Sequence, residues 1–303
     1  MVTIDDNADG LYDSEMQYDK IYDDEPVSGA NLGNDVSVCE GCKYMVSGSP
    51  ESTYTTISNG ITTTVEQSGS VIIYRLSDTT KKYEQEAVFF APNPTSDMRY
   101  GDGVVVGAGF EDDSAIMVVG EPNALQCHIY THANTSDSSI TFAYGTALTA
   151  DLVTLRQHRF GAQGTIGLDK NLLVIGAPGL EAIFVYYREY TNITGAWNWT
   201  EPALVRSSDF DYDVLWTRVK FHRQEFGTAV AVSGRTIAVG APYADYDKLG
   251  TDLVEEDVDT EGPDIKGYGR GKVYTFYSMP AEEIIKYKAS SSLTAGTWKL
   301  RYE

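Results

Sequence analysis

The sequence has few basic residues for its length. Its 303 residues include 23 Lys and Arg against 44 Asp and Glu, which gives a net charge of −21. Nucleic-acid binding needs Lys and Arg in excess at the phosphates, so this charge disfavours a nucleic-acid partner, and it equally disfavours an anionic membrane surface. Cations or basic proteins are the partners that the composition favours.

Long hydrophobic runs are also absent from the sequence. The apolar runs at 87–91, 116–120 and 172–177 are far shorter than the roughly 20 residues that span a bilayer. We therefore expect no membrane insertion in this segment. No basic-then-apolar leader follows Met1, so we expect any secretory signal peptide to lie outside this numbering or not to exist.

Sequence motifs for catalysis are missing as well. The chain has no G-x-S-x-G, no H-E-x-x-H and no phosphate-binding glycine loop, and its four histidines are scattered. We expect no catalytic residues and no enzyme activity. Carboxylates are numerous, so a glycosidase-like pair stays open as a less favoured alternative.

Cysteine is scarce, with three residues in the chain. Cys39 and Cys42 flank a two-residue turn, and zinc would need about four ligands, for which no second pair exists. A local disulfide is the favoured interpretation, with free thiols as the alternative. Cys127 is left over, either buried in its strand or paired with another chain.

One sequence pattern occurs four times along the chain. Each copy starts with an aromatic or apolar residue followed by Gly and continues through a hairpin into an apolar run that ends in Gly-x-Pro. The copies run from Leu32-Gly33 to Gly48-Ser49-Pro50, from Tyr100-Gly101 to Gly120-Glu121-Pro122, from Phe160-Gly161 to Gly176-Ala177-Pro178, and from Phe226-Gly227 to Gly240-Ala241-Pro242. The spacing of about 60 to 70 residues suits one four-stranded sheet with its loops.

The remaining residues of each copy fit such a sheet. An alternating, β-rich segment follows each Gly-x-Pro, as at 70–74, 127–130, 183–187 and 272–277. The glycine before each strand pair allows backbones to approach closely, and the Gly-x-Pro ends the inner strand because the proline removes a ladder donor. Four-stranded units in radial repetition form a β-propeller; a solenoid is the competitor, although its units are usually shorter.

The two C-terminal copies, with Phe-Gly and Gly-Ala-Pro, resemble FG-GAP repeats, which build the propeller of integrin α-subunits and occur in many secreted proteins. The second copy keeps Tyr-Gly and Gly-Glu-Pro, and the first keeps only Leu-Gly and Gly-Ser-Pro. The resemblance implies an all-β propeller with four recognisable blades at about 32–95, 96–154, 155–220 and 221–303. Residues 1–31 would form a partial blade, and 298–302 would supply the outer strand of the fourth.

The N-terminal segment carries the most specific chemical pattern. Residues 5–13 read D-x-N-x-D-G-x-x-D, and Ca²⁺ binds six to eight oxygen ligands in such alternating loops. The expected ligands are Asp5, Asn7, Asp9, the Leu11 carbonyl and Asp13. Calcium-bearing FG-GAP blades have the same loop between their first two strands. The alternative is an acidic turn without a metal.

Three N-glycosylation sequons point to the secretory pathway. They begin at Asn134, Asn192 and Asn198. Glycans sit on exposed segments, and the first two sequons follow the third predicted strand of their unit.

Together these features predict an extracellular or cell-surface recognition or adhesion module with a calcium-stabilised propeller. Its partner would be a protein, either an adhesion ligand or copies of itself, with a glycan as a further candidate. The alternatives are a structural subunit of a glycosylated extracellular filament or coat and, less favoured, a carbohydrate-active enzyme.

Overall fold

The computed structural model describes residues 28–39, 42–58, 60–109, 114–132, 142–149, 159–191, 196–207, 224–244 and 271–278. In chain order the strands are β1 (Val36–Val38), β2 (Tyr44–Ser49), β3 (Tyr54–Ser58), β4 (Ile61–Val65), β5 (Ser70–Leu76), β6 (Tyr83–Phe89), β7 (Val104–Ala108), β8 (Ala115–Glu121), β9 (Gln126–His132), β10 (Ala143–Thr149), β11 (Ile166–Asp169), β12 (Leu172–Ala177), β13 (Ala182–Thr191), β14 (Ala196–Trp199), β15 (Ala203–Arg206), β16 (Ala229–Ser233), β17 (Thr236–Ala241) and β18 (Lys272–Tyr277). Two short 3₁₀ helices, Pro122–Ala124 and Pro178–Leu180, follow β8 and β12.

Each of the four sequence units forms one antiparallel sheet. Sheet 1 has the order β1-β2-β5-β6, sheet 2 the order β7-β8-β9-β10, sheet 3 the order β11-β12-β13-β14, and sheet 4 the order β16-β17-β18. The prediction of an all-β chain made of antiparallel sheets is thereby confirmed. The expected outer strand of the fourth unit, at 298–302, lies outside the described residues, and so do residues 1–27 of the partial blade expected at 1–31.

The sheets pack face to face in series. One apolar cluster lies between sheets 1 and 2, a second between sheets 2 and 3, and a third between sheets 3 and 4. In β8, Met117 faces the first cluster and Val118 the second; in β12, Leu173 faces the second and Val174 the third. Because the two middle sheets are covered on both faces, their second strands are continuous apolar runs rather than alternating ones.

The aromatic residue before each turn glycine fills the space between neighbouring sheets. Tyr100, Phe160 and Phe226 are fully buried, and each stacks edge to face on a ring of the third strand in its own sheet. The ring centroids are 5.4 Å apart for Tyr100–His128, 5.3 Å for Phe160–Phe184 and 5.2 Å for Phe226–Tyr274. Such pairs contribute about 0.5–1.5 kcal/mol beyond their buried area. Leu32, the corresponding residue of the first unit, is 37% exposed.

Glycine contacts set the distance between neighbouring sheets. The Gly-x-Pro glycine of one unit lies against the carbonyl oxygen of the turn glycine in the next, as Gly120 does against Gly161. The same contact recurs between Gly48 and Gly101 and between Gly176 and Gly227. A Cβ atom at any of these Gly-x-Pro glycines would overlap that oxygen. The sequence predicts close backbone approach at the turn glycines, and the contacts of Gly101, Gly161 and Gly227 confirm it.

Three details of the fold differ from the sequence-based expectation. A two-stranded hairpin, β3–β4, is inserted between β2 and β5 of the first unit. In sheet 3, β15 pairs with the N-terminal half of β13 and β14 with its C-terminal half, so two short strands share one edge. The sequence predicts a two-residue turn at Ser233-Gly234 in the fourth unit, whereas the turn consists of Gly234 and Arg235.

The contact between Gly120 and the Gly161 carbonyl oxygen predicts that one added methyl group lowers the stability of the fold. Gly120→Ala should lower the free energy of unfolding by at least about 1–3 kcal/mol, because its Cβ would meet backbone that cannot move aside. Gly145→Ala is the matched control, since its Cβ would lie at an ordinary 3.4 Å from the Ile129 oxygen. Urea unfolding of both variants measures the difference; equal stability would contradict the spacing role of Gly120.

Candidate functional site

The turns of three consecutive units meet around one polar cleft. Its volume is about 280 Å³. Asn34 comes from the first unit, Arg99, Asp102 and Asn123 come from the second, and Arg159 and Gln163 come from the third. The cleft is therefore assembled only when the three sheets stack in the observed order.

A repeated backbone conformation aims side chains at this end of the sheets. The residue two positions before each turn glycine is left-handed, with φ of 56° at Asn31, 58° at Arg99, 53° at Arg159 and 52° at Glu225. Its carbonyl accepts a hydrogen bond from the N–H three residues later, at 3.1 Å for Arg99 and 3.2 Å for Arg159. L-residues adopt this conformation uncommonly, so its recurrence in all four units reflects the demands of the turn.

Arg99 connects the first two units. Its Nη2 donates to Asp102 Oδ1 at 2.8 Å, and its Nη1 lies 3.4 Å from Glu51 Oε1 of the first unit. The amide of Asn34 donates across the same junction to the Asp102 carbonyl oxygen at 2.8 Å. Burial alone lowers the pKa of Arg99, but Asp102 and Glu51 outweigh it and raise that pKa above its ordinary value. The ion pair between Arg99 and Asp102 thus stabilises the wall of the cleft.

Among the described residues, the Arg159 side chain makes weaker contacts than that of Arg99. Its side chain is 50% exposed, and Nη1 lies 3.6 Å from Glu225 Oε2 in the fourth unit, which is longer than a hydrogen bond. The turn that carries Glu225 is instead fixed by Glu181, whose buried carboxylate accepts from the backbone N–H groups of Glu225 at 2.9 Å and Phe226 at 3.0 Å. Among the described residues, the Arg159 guanidinium thus has this long ion pair and no hydrogen bond, and Arg159 is part of the cleft wall.

Asp35 connects three units through the hydrogen bonds that its carboxylate accepts. Its Oδ2 accepts from the N–H of Val104 at 3.0 Å and of Gly164 at 3.4 Å, and its Oδ1 accepts from Val36 at 3.1 Å. Burial raises the pKa of this carboxyl, against the opposing effect of these backbone hydrogen bonds. Gln163 adds a second contact between the first and third units by donating to the Asn34 carbonyl.

Most of the site residues expected from the sequence lie outside the described residues. These are the calcium ligands Asp5, Asn7, Asp9, Leu11 and Asp13 and the sequon residues Asn134 and Asn192. Asn198 is exposed in β14. Within the part of the chain that the structure describes, no group of three His, Cys, Asp or Glu side chains could hold a metal ion.

The cysteines have distinct environments. Cys39 and Cys42 are joined by a disulfide bond between β1 and β2, with a Cα–Cα distance of 5.6 Å, and both are buried. Cys127 is a free, fully buried thiol in β9. Burial raises its pKa, which keeps it in the unreactive thiol form. Of the two possibilities for Cys127, the structure has the buried one.

The cleft itself was not anticipated from the sequence. A local signal for it exists, because Arg precedes the aromatic residue in both Arg99-Tyr100-Gly101 and Arg159-Phe160-Gly161. That signal does not reveal that two such turns, from different units, share one cleft.

Comparison with models of known protein families gives no match, and comparison with curated proteins gives none either. Among the described residues, no helix is long and apolar enough to cross a membrane. The function must therefore be argued from the site.

The environment of Asp35 predicts a pH-dependent stability difference. A carboxyl with a higher pKa in the folded than in the unfolded chain stabilises the fold below the unfolded pKa, and that contribution is lost as pH rises through the folded pKa. The melting temperature of the native protein minus that of Asp35→Asn should therefore fall between about pH 3 and 6.

Asp78→Asn provides a control of opposite sign. A hydrogen bond from Lys43 lowers the pKa of Asp78, so the corresponding difference should rise with pH. A flat or rising difference for Asp35→Asn, measured by thermal unfolding across this range, would contradict the account of Asp35.

Proposed function

We propose that the chain is a β-propeller segment of FG-GAP-like blades that acts outside the cell as a non-catalytic recognition or adhesion module. Support for the radial arrangement comes from the first strands, since β7 lies beside both β1 and β11, and β11 lies beside β16. The sheets fan out from these adjacent strands with their faces in contact. A closed ring is not seen among the described residues, so the blade number is part of the proposal.

The partly free guanidinium of Arg159 is the observation that carries the recognition role. It lies in a cleft whose walls are held by hydrogen bonds between units, so the site exists before a partner arrives and little ordering is needed on binding. Arg presents five donors in a fixed fork that matches a carboxylate. The partner group is thus a carboxylate on an acidic loop of another protein.

The charge of the cleft differs from that of the rest of the chain. Among the described residues that line the cleft, Arg99 and Arg159 are basic and Asp102 is acidic, whereas the whole chain carries −21. Glu51 lies 3.4 Å from the Arg99 guanidinium and Glu225 lies 3.6 Å from that of Arg159. An acidic segment is repelled by most of this surface, and at the cleft it meets the half-exposed guanidinium of Arg159. Such local complementarity contributes specificity and register more than raw affinity.

Two features support an extracellular location. The Cys39–Cys42 disulfide persists in oxidising compartments. The sequon at Asn198 lies on an exposed position of the edge strand β14, where a glycan has room.

Substitution of Arg159 tests the recognition role. An acidic decapeptide of alternating Asp and Gly is the probe, titrated by calorimetry at about 0.15 M salt, where long-range charge effects are screened. Arg159→Ala should weaken binding about tenfold or more, the loss expected for one charge-assisted hydrogen bond. Lys43→Ala is the control, because it removes the same charge from a surface ion pair away from the cleft. Equal affinity of the native protein and Arg159→Ala for the peptide would overturn the proposal.

The calcium site at 5–13 is a separate part of the proposal. Asp9→Ala should lower the melting temperature in calcium but not in chelator, because the ligand contributes stability only when the ion is bound. Differential scanning calorimetry with calcium and with chelator measures both differences. An equal decrease under the two conditions would leave Asp9 with a structural role alone.

A further inference from the structure

The hairpin β3–β4 is an uncharged projection on a highly charged chain. No Asp, Glu, Lys, Arg or His occurs from Ser52 to Val65, whereas the whole chain carries −21. Five of the ten strand residues are Thr. At this point in the second unit, β8 and β9 are joined through the short 3₁₀ helix Pro122–Ala124, and in the third unit β12 and β13 are joined through Pro178–Leu180. The hairpin is therefore an addition to the repeated fold rather than part of it.

The tip of this hairpin exposes large apolar side chains. Ile57 is 71% exposed and Ile61 is 68% exposed. At its base, the Tyr54 ring packs against Phe90 at a centroid distance of 5.0 Å, which anchors the hairpin to the first sheet. The hairpin thus presents an apolar tip from a fixed base.

The edges of the hairpin are open. Within the described residues, β3 and β4 pair only with each other, and four of the five residues of β4 are exposed. A two-stranded sheet leaves a row of backbone N–H and C=O groups unpaired on each outer edge, and proteins usually protect such edges with charges, proline or a bulge. β4, with the sequence ITTTV, has no charge and no proline.

We propose that β4 pairs edge to edge, antiparallel, with β4 of a second copy of this chain. The two hairpins would then form one four-stranded sheet across a twofold axis, which is the commonest symmetry of protein dimers. Two chains of charge −21 repel one another, so close contact between copies requires an uncharged surface, and the hairpin supplies one. The three central residues of β4 are all Thr, so antiparallel β4–β4 pairing would place Thr beside Thr, a combination that suits cross-strand contact.

This inference concerns a different surface from the recognition cleft and does not rest on the proposed function. For the alternative role as a structural subunit of a filament or coat, this pairing would supply one contact between copies of the chain. The area of a single strand pairing is small, so the dimer should be weak and reversible.

The competing surface for self-association is the outer face of sheet 4. Val273 is 73% exposed and Tyr277 is 52% exposed on that face. A control variant on this face therefore distinguishes dimerisation through sheet 4 from dimerisation through β4.

Sedimentation equilibrium of the full chain from about 1 to 100 μM tests the proposal, a range that covers weak association. The native chain should shift from the mass of one chain towards that of two as concentration rises. Ile61→Glu combined with Thr63→Glu should raise the dissociation constant at least about tenfold, because four like charges would meet across the axis. Both positions are exposed, so the fold should be unaffected.

Val273→Glu combined with Thr275→Glu is the matched control, with the same charges at the same spacing on the exposed face of β18. It should associate like the native chain. Hydrogen exchange gives a second measurement: the amides of 61–65 should exchange more slowly at 100 μM than at 1 μM. A monomer throughout, association lost in the control instead, or exchange independent of concentration would each overturn the proposal.

Discussion

The architecture depends on one steric constraint, the contact between a glycine and the carbonyl oxygen of a second glycine in the next unit. This contact occurs at all three junctions between the described sheets. Close backbone approach brings the apolar faces together, so the buried aromatic of each turn can fill the intervening space. Packing at native density tolerates neither an added methyl group nor a gap, so the glycines determine the spacing and the aromatics determine the contents of each junction.

The same constraint builds the cleft. A turn that places its glycine against the preceding sheet must reverse the chain tightly, and it does so through a left-handed residue just before the aromatic. That residue is Arg in the second and third units, and its side chain emerges where consecutive turns converge. Carboxylates then connect the units by accepting backbone hydrogen bonds, Asp35 across the first three and Glu181 between the third and fourth. The turn conformation that sheet stacking requires thus also produces the polar cleft.

The sequence predicted those features that local patterns encode. Apolar runs ending in Gly-x-Pro indicated the second strands, and the alternating segments after them indicated the third strands, because periodicity directly reflects burial on one face or two. The β3–β4 hairpin was missed because a Thr-rich strand exposed on both faces has no apolar periodicity. The pairing of Arg99 with Glu51, 48 residues away, was missed because it depends on the stacking of two units, which no local pattern specifies.

The distribution of charge connects the two proposed surfaces. A chain with 44 acidic and 23 basic residues resists association over most of its surface, because like charges repel at short range even where salt screens distant ones. Association is then confined to places where the charge is absent or reversed. The β3–β4 hairpin has no charge over its whole length, and the cleft places two Arg side chains beside one Asp. The two exceptions suit different partners: an uncharged strand edge can pair with an identical edge, whereas the cleft offers the half-exposed guanidinium of Arg159 to a carboxylate of another protein.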